Sequence, residues 1–544
     1  MCGIFCACTT KSQQNDLLPI YNCLKSMLER RGPDHCGCEE VTVDECCLLF
    51  GANVLWTQGK CITEQPIIDN QSVLVYNGDI FEGISVVNGD TLAFCDLLKN
   101  GMDVDLLSNI KGPFSFIYLD KRCSKLYFAR DAYGRRSLLL GLKEKTLIVS
   151  SIARKLMEIK FIELPAIGVF TYDLKSNKLQ LAPWRFHHSN NTDVINNVRK
   201  LFPNFSYTRN CPDILQKRFL SPNKDDLIFL QQLETHKPNE IFEIILNNVI
   251  WLRRIICLKE LLQNAIKLRI KTLVQKCFEC SIKTTCDHSA VGVLFSGGVD
   301  CSILTLLMDE FVSKKQSVDL INVSFRDGAP DRETGLQTLE ELKILRPDRN
   351  WNFVELNVTE GELKIERENF IADLIYPLNT ILDESLGCAL WFAARAEKNN
   401  YTSPCRILIV GMGADELFGG YMKHRAAFKH SQWEGLHQSL ETDWENISFR
   451  NLGRDDRVVS DHGRQLHTPY LDENVVEFVR CLNCWERTCP TEYLPQGIGD
   501  KIILRSLAYH LGLKNAASFR KRALQFGSRI ANNKENAIDV SPRL

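Results

Sequence analysis

The sequence predicts two fold classes in one chain: first an antiparallel, helix-covered sandwich, then an α/β domain on a parallel sheet. Three observations carry this expectation. Residues 2–185 are a succession of short apolar runs, "SVLVYNGDI", "GPFSFIYLD", "KLYFARD" and "GVFTYDL" among them, separated by Gly, Asp and Asn as hairpins are. From about residue 290 the runs "VGVLF", "VDLINVSF", "WNFVELNV" and "CRILIV" are each followed by a helical pattern, the mark of crossover connections. Between them, residues 186–240 are Asn-rich and weakly periodic ("FHHSNNTDVINNV", "SPNKDDL"), which reads as a polar linker.

The bulk composition fits a soluble protein with a sizeable core. Of 544 residues, 44% are hydrophobic and 24% charged. Lys+Arg number 66 against Asp+Glu 67, so net charge gives no basis for a nucleic-acid or membrane-surface role. Helical patterns near 15–30 and 90–99 interrupt the first set of strands, and a longer one covers about 241–276. Its most apolar part, "VIWLRRIICLKELL", is broken by Arg253 and Arg254 and reads as an amphipathic helix. No run reaches the roughly 20 apolar residues of a membrane span, and the opening residues lack a signal peptide, so the expected compartment is the cytosol. The 22 cysteines then read as reduced thiols. Cys277 and Cys280, with Cys286 and His288, and the pair Cys481 and Cys484 meet zinc spacing only in part, and no structural metal is expected. The polar end of the chain, 531–544, reads as a disordered tail.

Chemistry begins at Cys2. With Met1 removed, its thiol stands beside a free α-amine, whose pKa of roughly 7.7–8.0 suits a general base. Alone, a cysteine at position 2 is weak evidence in so cysteine-rich a chain. However, "MCGIF", "RRGPD" at 30–34, "YNGDIF" at 76–81 and "NGD" at 88–90 follow in order. Together they resemble the class II glutamine amidotransferases, N-terminal-nucleophile enzymes with an αββα sandwich that release ammonia from glutamine. The resemblance implies that Cys2 attacks the amide, Asn77 and Gly78 form the oxyanion hole, and Asp90 holds the substrate α-amine. Asn53 stands where that family places an arginine against the glutamine α-carboxylate; losing such a charged pair costs about 1.5–3 kcal/mol.

A second constellation lies in the α/β half. "VGVLFSGGVDCSIL" sets Ser296, Gly297, Gly298 and Asp300 between a strand and a helix start, where glycines and free helix N–H groups favour phosphate oxygens. Asp300 is placed to hold Mg²⁺ against a pyrophosphate. The segment resembles the loop of ATP-pyrophosphatases, which implies nucleotide contacts from Leu294, Ser296, Gly297, Gly298, Asp300 and Ser302, with Cys301 standing where a serine is usual. "LIVGMGADELFGGY" at 408–421 resembles the corresponding segment of asparagine synthetases. By that resemblance Asp415 joins Asp300 at the metal, and Gly411 and Gly413 leave room for nucleotide. Met412 occupies the place of a glutamate that assists at the reacting carboxylate. Lys501 of "GIGDKIILR" matches the lysine that neutralises charge during adenylation, while Arg520, Lys521 and Arg522 read mostly as a solvated basic face.

The paired resemblance, over 2–185 and 241–530, implies a glutamine-hydrolysing asparagine synthetase. Its small-molecule substrates would be glutamine, aspartate and ATP, its metal Mg²⁺. Asn53 and Met412 keep open an ammonia-dependent or altered-substrate adenylating enzyme, or a non-catalytic binding or regulatory protein on this scaffold. Oligomeric state stays open, a homodimer included.

Overall fold

The computed structural model describes residues 2–59, 61–185, 192–209, 218–271, 288–398, 400–531 and 535–544. The first part is made of strands β1 (Gly3–Thr10), β2 (His35–Val43), β3 (Cys46–Val54), β4 (Ile67–Ile68), β5 (Ser72–Gly78), β6 (Phe114–Asp120), β7 (Lys125–Arg130), β8 (Leu139–Lys143), β9 (Thr146–Ser150), β10 (Phe161–Glu163), β11 (Gly168–Asp173), β12 (Lys178–Pro183) and β13 (Ser206–Tyr207). They form a sheet of order β10-β8-β9-β1-β3-β2 and a second of order β13-β12-β11-β7-β6-β5-β4. All pairs are antiparallel except β12 with β13.

The period-2 alternation of side chains decides the layering. From β1, Ile4, Cys6 and Cys8 point into a core shared with Val73 and Val75 of β5 and Ile117 of β6. Phe5 and Ala7 point the other way, onto Leu17, Ile20, Leu24 and Leu28 of the helix Leu17–Arg31. On the outer face of the second sheet, Leu74 and Tyr76 meet Phe94, Cys95 and Leu98 of the helix Asp90–Lys99. Helix, sheet, sheet, helix: the expected αββα sandwich is present.

The second part contains β14 (Val291–Leu294), β15 (Val318–Ser324), β16 (Trp351–Asn357), a short ribbon of β17 (Glu397–Lys398) with β18 (Tyr401–Thr402), then β19 (Ile407–Ile409) and β20 (Gln465–His467). β16-β15-β14-β19-β20 is a fully parallel sheet. Strand order runs outward in both directions from the β14/β19 pair, so the crevice for a ligand opens at their carboxyl ends. The two halves are not separate globules. The layer under the Leu17–Arg31 helix continues into Ile371, Leu374, Trp391 and Val458 of the second half as one apolar cluster.

Two expectations need correction. The linker over 186–240 is divided between the halves where it is described. The helix Thr192–Leu201 buries Val198 against the first core with Phe202, and Lys224–Glu234 buries Leu230 and Leu233 in the second. A few apolar residues at helical spacing suffice when a core lies ready to receive them. The tail expectation fails for residues 535–544, whose backbone bonds to 379–382. The Cys277, Cys280 and Cys286 cluster lies outside the described residues. Described cysteines are free thiols, Cys481 exposed and Cys484 buried, and no described helix is long and apolar enough to cross a membrane.

Candidate functional site

Cys2 sits at the entry to β1, where Gly3 pairs with Asn53 of β3. The Cys2 nitrogen donates to Asn77 Oδ1 at 2.9 Å, and Asn77 is the last residue but one of β5. Asn77 is fully buried and its Nδ2 has no hydrogen-bond partner, a free buried donor on the residue that holds the Cys2 nitrogen. Burial pushes the Cys2 thiol up, against downward pulls from the positive chain terminus, the Leu55 backbone and, least, Arg31. Gln65 Nε2 lies 3.9 Å from Sγ and its Oε1 accepts from the Tyr76 nitrogen at 2.7 Å. Asn53, expected from sequence to meet the substrate carboxylate, is buried with both amide atoms unsatisfied and so brings uncompensated polarity to this strand.

Asp90 opens its helix after Gly89, whose φ of 101° suits only glycine. One oxygen accepts from the Thr91 nitrogen at 2.7 Å and the Thr91 hydroxyl at 3.3 Å. Burial, reinforced by the Asp79 charge, pushes its carboxyl up to about 7. The sign of the linkage follows. Between its ordinary 3.8 and about 7 the folded chain holds a proton the unfolded chain lacks, so stability falls as pH rises through that window. An incoming α-ammonium would restore the charged form and release the proton. Asp90→Asn is therefore expected to raise the melting temperature at about pH 8, by the equivalent of roughly 1–3 kcal/mol, while abolishing glutamine-dependent stabilisation. Parallel melting curves of both proteins with and without glutamine check both outcomes.

A charged network that sequence reading did not assign joins this site to the second half. Arg31, fully buried, reaches Cys2 O at 3.5 Å and Asp456 Oδ2 at 2.9 Å. Asp456 also faces Arg136 at 3.6 Å, and Arg136 pairs at 2.8 Å with Asp79, the residue following Asn77 and Gly78. Asp79 accepts from Gln465 of β20 and, at 2.6 Å, from Gln58. Nearby, His467 is buried and driven well below the usual range, first by desolvation and then by Arg136 and Arg269, so it is neutral. The signal was present: "RRGPD", "YNGDIF" and "NLGRDDR" each contribute one member.

At the carboxyl ends of β14 and β19 the second constellation converges. Lys501, fully buried and at φ 56°, places Nζ 2.7 Å from Asp300 Oδ2 and 2.5 Å from Asp415 Oδ1. Lys521 Nζ lies 2.6 Å from the other Asp415 oxygen, which takes it out of the solvated face. Burial pushes Asp415 up, but the two ammonium groups reverse this and hold it well below the usual range. Asp331 and Glu416, not singled out from sequence, carry carboxyls that burial raises to about 7. Glu416 accepts from the Tyr421 hydroxyl at 2.7 Å.

The other predicted residues are placed variously. Gly297 has φ 75° and Thr334 O only 2.3 Å from an added Cβ, so its glycine serves backbone packing. Around Gly298 there is space, the nearest atom being Ser296 Oγ at 3.4 Å. The Ser302 hydroxyl donates to Gly298 O at 2.7 Å and Cys301 Sγ to the same oxygen at 3.3 Å, so both brace the loop. Leu294 ends β14 and, with Met412, packs on the apolar cluster shared between the halves. Gly411, Met412, Gly413 and Asp415 line a cavity of about 710 Å³ together with Glu416, Arg450 and Lys521. No group of three or more potential metal ligands occurs among the described residues. Mg²⁺ arriving with a nucleotide needs only one or two carboxylates, so Asp300 and Asp415 fit the ion expected from sequence.

An N-terminal-nucleophile sandwich joined to a parallel-sheet domain with a lysine-bridged acidic pair defines the class, and comparison with known proteins agrees. The glutamine amidotransferase domain family matches residues 1–208, and the asparagine synthase family matches 274–434 and 428–536. The chain is 35% identical to "Asparagine synthetase domain-containing protein CG17486" of Drosophila melanogaster, over 100% of both chains. It is also 35% identical to "Asparagine synthetase domain-containing protein 1" of Homo sapiens, over 100% of this chain and 98% of that one. Identity to "Asparagine synthetase [glutamine-hydrolyzing]" of Rattus norvegicus is 25%, over 87% of this chain and 75% of that one. The chain belongs to the asparagine synthetase family, among its asparagine synthetase domain-containing proteins.

Proposed function

We propose that this protein is an ATP-dependent ligase that forms an amide with ammonia drawn from glutamine, as an asparagine synthetase does. Cys2 attacks the glutamine amide, Asn77 Nδ2 and the Gly78 N–H stabilise the oxyanion, and water releases glutamate from the thioester. In the second half a carboxylate, aspartate's β-carboxylate in the family reaction, attacks the α-phosphorus of ATP. Pyrophosphate leaves, ammonia displaces AMP from the acyl-adenylate, and one proton is released. Mg²⁺ held by Asp300 and Asp415 would offset the charge of the departing pyrophosphate. Lys501 and Lys521 hold Asp415 ionised and lend positive charge where the phosphates build negative charge.

One observation carries this reading: Lys501 is locked between Asp300 and Asp415 at the β14/β19 crevice, beside the cavity. Met412, an apolar side chain on that cavity's wall, favours a second reading of the same chemistry with a different carboxylate. ATP–pyrophosphate exchange tests both. Exchange driven by aspartate supports the synthetase, exchange driven only by another carboxylate supports the second reading, and none with any carboxylate rejects both.

A further inference from the structure

The segment 535–544 contributes Ala537 and Ile538 to the wall of the cavity of about 710 Å³. It is held as part of the fold. Thr380 and Val540 form an antiparallel bridge, and Ser541 donates its nitrogen to Asn379 O at 2.8 Å. Ile381 and Leu382, the first residues of the helix Ile381–Arg395, donate their N–H groups to Asp539 O at 2.9 Å and Ala537 O at 3.0 Å. Those N–H groups have no partner inside the helix, so the segment satisfies donors that would otherwise need water. The same helix supplies Leu382, Asp383, Leu386 and Leu390 to the cavity wall.

Ionic contacts fix the far end. Buried Glu384 accepts from Arg543 at 2.7 Å and from Arg367 at 3.0 Å, and Arg543 also reaches Glu535 at 2.6 Å. Lys155 of the amidotransferase half donates to Leu544 O at 2.8 Å. Ile538, in contrast, leaves most of its side chain uncovered, 72% exposed, while standing on the cavity wall. A large aliphatic side chain costs hydration when left open beside a cavity, and an occupant would cover it.

We infer that Ala537 and Ile538 form a specificity wall of the adenylation cavity, with Ile538 as the side chain that gauges the carboxylate substrate. Acceptor size is set by this side chain together with the Leu382, Leu386 and Met412 wall, and ATP binding does not depend on it. The inference rests on the adenylating function proposed above, and deepens it by naming what selects the acceptor: an aliphatic contact rather than a charged one.

Ile538→Trp, Ile538→Ala and a chain ended at Ala531 would be compared with wild type in ATP–pyrophosphate exchange. Aspartate, glutamate, succinate and isovalerate would each serve as the carboxylate. Ile538→Trp is expected to raise KM by about tenfold for the carboxylate wild type uses best, with KM for ATP within about twofold, since one apolar contact controls roughly that much discrimination. Ile538→Ala is expected to shift preference towards a bulkier acid. Ile538 is exposed, so both substitutions should keep the wild-type melting temperature, and they decide the matter if the shortened chain does not fold. Unchanged carboxylate KM values in both, with normal exchange, would overturn the inference alone. No exchange in wild type with any of these acids would remove the proposed function and this inference with it.

Discussion

Asp456→Ala is expected to destabilise the protein by about 3–5 kcal/mol and to abolish glutaminase activity. Asp456 is fully buried and is the acid between two buried guanidinium groups, those of Arg31 at 2.9 Å and Arg136 at 3.6 Å. Replacing a buried ion pair by apolar residues can be neutral, but removing one partner leaves charge with nothing to solvate it. Here two cations would lose a shared anion, and the Ser137 nitrogen, 3.2 Å away, would lose its acceptor. The functional loss follows from the same geometry. Arg31 steadies the Cys2 carbonyl, and Arg136 fixes Asp79 next to Asn77 and Gly78, the proposed oxyanion donors. Asp456→Asn, which keeps one acceptor without the charge, is expected to fall between. Thermal melting and glutaminase assays across the three proteins check this; an Asp456→Ala variant that melts with wild type would show the network to be dispensable.

Lys501→Met is expected to reduce carboxylate adenylation by about 10²–10³-fold, the range found when a preorganised electrostatic group is removed from a reaction site. Methionine keeps the length of the side chain but offers Asp300 and Asp415 no charge. Asp415 should then move up from its depressed position, which Lys501 and Lys521 now maintain. The pH signature has a fixed sign. In wild type the depressed Asp415 adds stability above the ordinary carboxylate range, and this is lost as pH falls through its lowered folded value. In Lys501→Met part of that contribution should be missing at neutral pH, so the difference in melting temperature should narrow on acidification. Single-turnover adenylation and a melting series in pH measure the two effects. Full adenylation activity would remove Lys501 from the chemistry.

Most of the architecture was legible because it depends on local patterns. The alternation in "SVLVYNG" and the apolar "VGVLF" running into a glycine loop become β5 and β14. The same holds for Cys2 with Asn77, and for Lys501 with Asp300 and Asp415, whose motifs stand in recognisable surroundings. What escaped depends on distance along the chain. Arg31 and Asp456 are separated by 425 residues, so nothing near either one announces the other. Lys521 looked like one of three exposed basic residues until the fold brought Asp415 to it. Residues 535–544 look disordered by composition, since their attachment is made by backbone groups satisfying a helix start, which side-chain hydropathy does not record.

The most direct measurement follows the amide nitrogen from one half to the other. Protein with Met1 removed would be given glutamine labelled in its amide nitrogen, aspartate, ATP and Mg²⁺, and the products resolved by mass. Coupled synthesis predicts labelled asparagine, one AMP and one pyrophosphate per amide formed, with labelled product absent in Cys2→Ala and restored as unlabelled product by added ammonia. Labelled ammonia released without any amide product, or no cleavage of glutamine by folded wild-type protein, would contradict a coupled ligase.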